Sequence, residues 1–179
     1  MQKNQSQKIK SDIVNRRRSL TRLMAVQIFY QFEFHKQEIP LIHIKNNTIE
    51  DYLFNDSQDL KSYRDKIDAT FLDNLINAMV INVAEIDAEI SPLLQNGWTL
   101  EKISRLMLQI IRFATLELKA SLDVPFKVII NEYIEISSYF FEDSRVSFAN
   151  SILENLTKKL RAAEFKKYHA AKNIAQKND

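Results

Sequence analysis

Apolar residues recur at helical spacing along most of this chain, and short polar breaks separate the runs. From about Arg17 to Phe34, Leu20, Leu23, Met24, Val26, Ile28, Phe29, Tyr30, Phe32 and Phe34 point in nearly every direction around a helical wheel. Only a narrow sector holds Arg18, Arg22 and Glu33. A helix apolar almost all round is expected to be buried and central, with its basic start emerging into solvent. Residues 35–58, with Pro40 and Asn46-Asn47, carry no clear period beyond a short helix near Thr48–Phe54. From about Asp59 the period returns. Ile67, Phe71, Leu75, Met79, Val83, Ile86 and Ile90 form one stripe, opposed by Asp65, Asp73, Asn77 and Glu85, and Pro92 ends it.

Thr99 reads as the N-cap of the next helix, whose stripe is Ile103, Leu106, Met107, Ile110, Ile111, Ala114 and Leu118. Val124-Pro125 breaks it, and Pro125 suits the first position of a helix reaching about Phe141. There Phe126, Ile129, Ile130, Tyr133, Ile134 and Phe140 are the apolar set. Asp143 or Ser144 caps a last helix with core face Phe148, Ala149, Ile152, Leu153, Leu156 and Leu160. Residues 1–15 lack a period and are expected to be a disordered basic segment. Residues 16–161 form an all-helical domain, and 162–179 a basic tail, at most a frayed helical extension.

Composition sharpens this picture at one point. The chain of 179 residues contains a single glycine, Gly97, where ordinary usage would give about twelve. Tight hairpins and phosphate-cradling loops need residues that accept positive φ, so nucleotide-binding α/β folds are disfavoured and an all-α class is expected. The length suits one domain, or two small helical halves sharing a core. Absent cysteine removes thiol chemistry and cysteine-bound zinc. Neither a membrane-spanning run nor a signal segment is legible, which makes the cytoplasm the expected location.

The net charge of +2 hides an asymmetry. Residues 1–22 carry a net +6 and residues 158–179 a net +5, leaving −9 on the body between them. Two basic ends on an acidic body suit either a locally held polyanion or plain solubilising tails. Catalytic constellations are lacking. His35, His43 and His169 stand apart, so no metal site is expected. Glu132 and Glu135 share a helix face, but no Glu-x-x-His motif accompanies them. Asn131 and Glu132 read better as a buried polar network. No enzyme activity and no cofactor are expected.

Taken together, these segments resemble a known family. Arg18 through Gln31 is similar to the opening of the NusB transcription antitermination family: a basic cluster, then Ala25-Val26-Gln27, Ile28 and Phe29-Tyr30. Trp98-Thr99-Leu100-Glu101-Lys102-Ile103-Ser104-Arg105, with Ile111-Arg112-Phe113-Ala114 and Glu117-Leu118, resembles the next signature. Val124 through Glu132, continuing to Phe148-Ala149-Asn150-Ser151-Ile152-Leu153, resembles the last, with Ile86-Asp87 and Pro92 between. The resemblance implies an all-α protein in which two packed helical bundles form one compact domain of about seven helices. It also implies binding of single-stranded boxA-like RNA together with the ribosomal protein NusE. The pair would join the RNA polymerase antitermination complex and support ribosomal RNA transcription; a homodimer of the free protein stays open.

By position, the RNA contacts carried over are Arg17, Arg18, Arg22, Tyr30, Ser144, Phe148 and Asn150, and the partner-binding residues Glu101 and Arg105. Arginines that hold phosphates and aromatic rings that stack on bases suit such a target. Core packing is the better reading for Phe148, while Tyr30 fits either role equally. The chain departs from the pattern at Ser19 and Leu20, where the family continues its arginine run. It departs also at Met107 and Leu108, at Asn150-Ser151, and at Phe141. Two other classes remain: a helical protein-interaction adaptor without RNA affinity, and the helical start of ribosomal RNA cytosine methyltransferases. The second is disfavoured because no Gly-rich cofactor loop follows. Since Ile110 lies in the densest stripe, Ile110→Ala is expected to cost ~2–5 kcal/mol in a denaturant melt.

Overall fold

A computed structural model describes residues 2–55, 67–95 and 97–175; side chains are described for 16–52, 67–95 and 97–172. Among the described residues there are seven α-helices and no strand. They are α1 (Gln2–Phe34), α2 (Leu41–Asn55), α3 (Ala69–Ile90), α4 (Arg105–Ala120), α5 (Phe126–Ser138), α6 (Asp143–Leu160) and α7 (Ala162–Ala175). Two 3-10 turns, Ser91–Leu93 and Leu100–Lys102, lie between α3 and α4. The chain divides into two units, Met1–Ile81 and Asn82–Asp179, so the division falls within α3.

In the first unit α1 packs on α2, with Met24, Ala25, Val26, Ile28 and Phe29 buried. Leu20, Leu23, Tyr30 and Phe32 are only half-buried and Phe34 is exposed, so the helix is not buried on every side as its apolar pattern predicts. Polar groups fix the start of α3 against α1. Thr21 Oγ1 donates to Arg17 O (2.7 Å) and accepts from Asp68 N (3.0 Å), while Arg17 donates to Ile67 O at 3.1 Å. Asp68 in turn accepts from Phe71 N at 3.0 Å, a side-chain N-cap. Gln31 reaches Thr48 on α2 (3.2 Å), and Lys45 of α2 pairs with Asp73 of α3 at 2.6 Å. The stretch 59–66, expected to begin the α3 stripe, lies outside the described residues.

In the second unit α4 packs on both α5 and α6. Met107 through Leu118 are all buried, a run that includes Gln109, Arg112, Thr115 and Glu117. The apolar stripe is therefore only the most apolar side of a helix buried all round. Its charges are matched inside. Arg112 makes a bidentate pair with Asp87 (2.7 and 2.6 Å), and Glu117 accepts from the Tyr133 hydroxyl at 2.6 Å. These pairs make a buried polar network around α4; of the two residues expected to form one, Asn131 is exposed and Glu132 half-buried.

Several boundaries differ from the expectation. Helix α1 begins at Gln2 rather than near Arg17, across residues expected to be disordered. That stretch holds no glycine or proline and is rich in Gln and Lys, so nothing in it stops a helix. The N-cap of α4 is Ser104, which accepts from Met107 N, whereas Thr99 precedes only a single 3-10 turn. Pro125 is the N-cap of α5 and not its first residue, and Glu142 precedes α6. Helix α2 is longer than its Thr48–Phe54 forecast, and α5 stops at Ser138. The basic tail forms α7, separate from α6 because Arg161 leaves the helical region (φ −131°, ψ 43°).

The end of α1 is a turn the sequence does not announce. Lys36 N donates to Glu33 O and Gln37 N to Phe32 O, both at 3.0 Å, the paired bonds of a Schellman stop. Such a stop places a left-handed residue after the helix, here Lys36 at φ 51° followed by Gln37 at φ 62°. Glycine favours that position, and this chain uses lysine. Lys36→Gly is expected to raise stability by about 0.5–1 kcal/mol in a chemical melt, the relief of left-handed strain outweighing the added freedom of the unfolded chain.

Candidate nucleic-acid interface

The residues expected to meet RNA fall into two groups, one in each unit. In the first unit, Arg18 and Arg22 both place their guanidinium over the Phe71 ring, at 5.4 and 5.3 Å from its centroid. Their fates differ. Arg18 is exposed and Arg17 half-buried on the Ile67 carbonyl, but Arg22 is 3% exposed. Its charge is spent on the ring and on the packing of α1 and α3 rather than offered to solvent. Tyr30 lies two helical turns further on, half-buried and stacked on Phe34 at 6.0 Å. It does not join the arginine cluster.

The second unit builds a concave site from three short pieces of chain. Gly97, at φ +75°, turns the chain before Trp98, and its carbonyl accepts from Lys102 Nζ at 2.6 Å. Trp98, 47% exposed, lies against Phe148 with ring centroids 5.5 Å apart and an interplanar angle of 37°. Around this pair opens a pocket of about 420 Å³, lined also by Lys102, Ser104, Met107, Ser144 and Arg145. Ser104 caps α4, while Ser144 and Arg145 stand in the first turn of α6, so two helix N-termini adjoin the pocket. Helix N-termini carry partial positive charge and free amides, which favour an anion. Arg145 also lies over the Phe141 ring, at 5.8 Å.

The structure therefore brings Ser144 and Phe148 together and leaves Asn150 outside the pocket lining. Phe148 is half-buried in an open wall, not sealed in the core as its place on the stripe suggests. Glu101 and Arg105 are exposed and flank in sequence the lining residues Lys102, Ile103 and Ser104. The Thr99 hydroxyl beside Glu101 holds its carboxyl below the usual carboxylate range, so it is an anion at neutrality. Sequence reasoning missed Lys102, Arg145 and Trp98 as site residues. The usable signal is a tryptophan beside a lone glycine, with one basic residue in each flanking segment. Among the described residues no three metal-binding side chains cluster, and no helix is long and apolar enough to cross a membrane.

Comparison with known proteins gives a consistent result. The model of the NusB family matches residues 19–158. The transcription antitermination protein NusB of Sphingopyxis alaskensis is 34% identical over 145 residues, covering 80% of this chain and 94% of the relative. That of Novosphingobium aromaticivorans is 31% identical over 151 residues, covering 84% and 99%. Among solved structures, T. maritima NusB superposes with a TM-score of 0.65 at 27% identity, over 83% of this chain and 96% of that one.

The burial of Arg22 has a measurable consequence. Arg22→Ala is expected to destabilise the fold by about 1–3 kcal/mol, through poorer packing and the uncovered Phe71 ring, whether or not RNA is present. Arg18→Ala, at an exposed position, should change stability by less than about 0.5 kcal/mol. Paired thermal and denaturant melts of the two variants check both values.

Proposed function

The chain belongs to the NusB family, and on that footing we propose that it is a transcription antitermination factor. In this reading it binds boxA-type single-stranded RNA together with the ribosomal protein NusE, in the cytoplasm. The bound pair joins the RNA polymerase antitermination complex and sustains ribosomal RNA transcription. The role is one of binding, without catalysis or a cofactor.

The observation that carries this reading is the open aromatic and basic pocket of the second unit. Single-stranded RNA is held by stacking unpaired bases on rings and by meeting phosphates with cations. Trp98 and Phe148 supply the ring faces, and Lys102 and Arg145 the cations on either side of them. Ser144 adds a hydroxyl for a base edge or phosphate at the start of α6, with Asn150 a further RNA group beyond the pocket. In the first unit, Arg18 supplies the solvent-facing guanidinium, while Arg17 and Arg22 hold the helix behind it in one orientation; Tyr30 adds a ring further along. Glu101 and Arg105, exposed beside the pocket, are the residues proposed to meet NusE.

Fluorescence anisotropy with a short boxA-like RNA, in the presence of NusE and across a salt series, tests this. Trp98→Ala and Phe148→Ala should each weaken binding by roughly 5- to 150-fold, the equivalent of ~1–3 kcal/mol per stacked base. Arg145→Ala should weaken it and flatten the salt slope by about 0.7, the value for one phosphate no longer neutralised. Unchanged affinity in all three would remove RNA from the pocket. NusE capture by a wild-type protein showing no RNA affinity at any salt would leave the adaptor reading in its place.

A further inference from the structure

Helix α7 lies beyond the residues that the family model matches, yet it is built into the second unit by specific bonds. Arg161, 7% exposed, donates to Val124 O at 2.8 Å and Leu122 O at 3.0 Å, tying the α4–α5 loop to the start of α7. Glu164 pairs with Arg161 (2.9 Å) and accepts from Phe126 N at 3.1 Å. Pro125, the N-cap of α5, has no side-chain acceptor to offer, so a carboxylate of α7 caps α5 in its place. Phe126 then meets Phe165 and Tyr168 of α7, at 5.9 and 5.5 Å. A segment anchored in this way presents its side chains without first having to be ordered.

What it presents is positive. Lys127 lies over the Tyr168 ring at 4.9 Å and Lys158 over Phe165 at 5.7 Å, while Lys166, Lys167 and Lys172 are exposed on α7 itself. Carboxylates compensate Arg161 and Lys159, through Glu164 and Glu89. Among the described residues no carboxylate pairs with the five lysines just named. Tyr168, 37% exposed, and the exposed His169 add ring surface between them.

We propose that α7, with Lys127 and Lys158 beside it, is a second RNA-binding surface. It takes the phosphate backbone of the single strand flanking the recognition sequence, without reading its bases. Three features select single-stranded RNA. The lysines are uncompensated, so phosphates that settle there release counterions and meet the ammonium groups directly. Rings alternate with the cations, as sequence-tolerant stacking requires. A membrane surface is disfavoured because Phe165 packs on Phe126, and the ring surface left in solvent, part of Tyr168 and His169, is too small and polar to make a broad apolar face for lipid. The inference rests on the RNA-binding reading of the chain as a whole.

The test compares two RNAs on the full-length protein with NusE present: a minimal boxA-like oligonucleotide, and the same sequence carrying a single-stranded uridine tract at each end. Wild type should bind the extended RNA at least several-fold more tightly. Its salt slope should be steeper by about 1.4–2.8, at ~0.7 per phosphate for two to four added phosphates. The quadruple variant Lys127→Gln, Lys166→Gln, Lys167→Gln, Lys172→Gln should lose that increment and bind the minimal RNA as wild type does. The matching four Lys→Arg changes should keep it. Lys166, Lys167 and Lys172 are exposed and Lys127 is half-buried over the Tyr168 ring; a wild-type melting curve for the variants shows that the fold is intact. Should wild type bind the minimal RNA while the extension adds nothing, the α7 surface is wrong and the pocket reading stands. If neither RNA binds, both fail together. Equal retention of the extended RNA by the Gln variant, or preferential capture of α7 by anionic phosphatidylserine vesicles, also overturns the proposal.

Discussion

A charge taken out of water must find its partner inside the protein, and that requirement shapes the second unit. Helix α4 is surrounded, so Arg112 and Glu117 have no route to solvent. Removing one member of a buried pair costs several kcal/mol, because the other is left desolvated and alone. Arg112 is consequently tied to Asp87 near the end of α3, and Glu117 to Tyr133 on α5. Each pair is directional, whereas apolar packing tolerates small rotations. The two together set the rotation of α4 about its axis and its register against its neighbours.

That register matters because the candidate site hangs from the ends of the same helices. Ser104, the cap of α4, and Ser144, in the first turn of α6, face one pocket only if α4 and α6 keep their relative height. Trp98 arrives by the turn at Gly97 and is stopped by Phe148. Its approach is further restrained by the Lys102 bond to the Gly97 carbonyl. A rigid core thus carries an open, half-wet rim, the usual division of labour when loops position binding groups.

The two basic ends of the chain are used differently. Near α1, the Arg22 charge is turned inward over Phe71 and serves the packing of α3. Near α7, one arginine and one glutamate do the anchoring, and the lysines stay in solvent. Arginine suits the inward role because its planar, weakly hydrated head stacks and forks, and lysine suits the outer one as a strongly hydrated point charge. Sequence charge alone treats the two ends as equivalent. The folded chain does not.

The helical class, the apolar cores of α1, α4, α5 and α6, and the NusB resemblance were legible in the sequence, because helical period and glycine scarcity are local properties that need no tertiary context. Ser144 and Phe148 were legible as residues of one helix, but the sequence read the first as a cap and the second as core, whereas Glu142 precedes α6 and both line the open pocket. Tertiary structure decided the rest. That Arg22 is buried and Arg18 exposed depends on Phe71, far along the chain, as the full burial of α4 depends on Asp87 and Tyr133. The left-handed stop at Lys36 and the capping of α5 by Glu164 carry no local signature, since neither uses the residue a turn or cap would favour. A polar side chain declares its type in the sequence. Whether it meets water or a partner is settled only when distant segments pack.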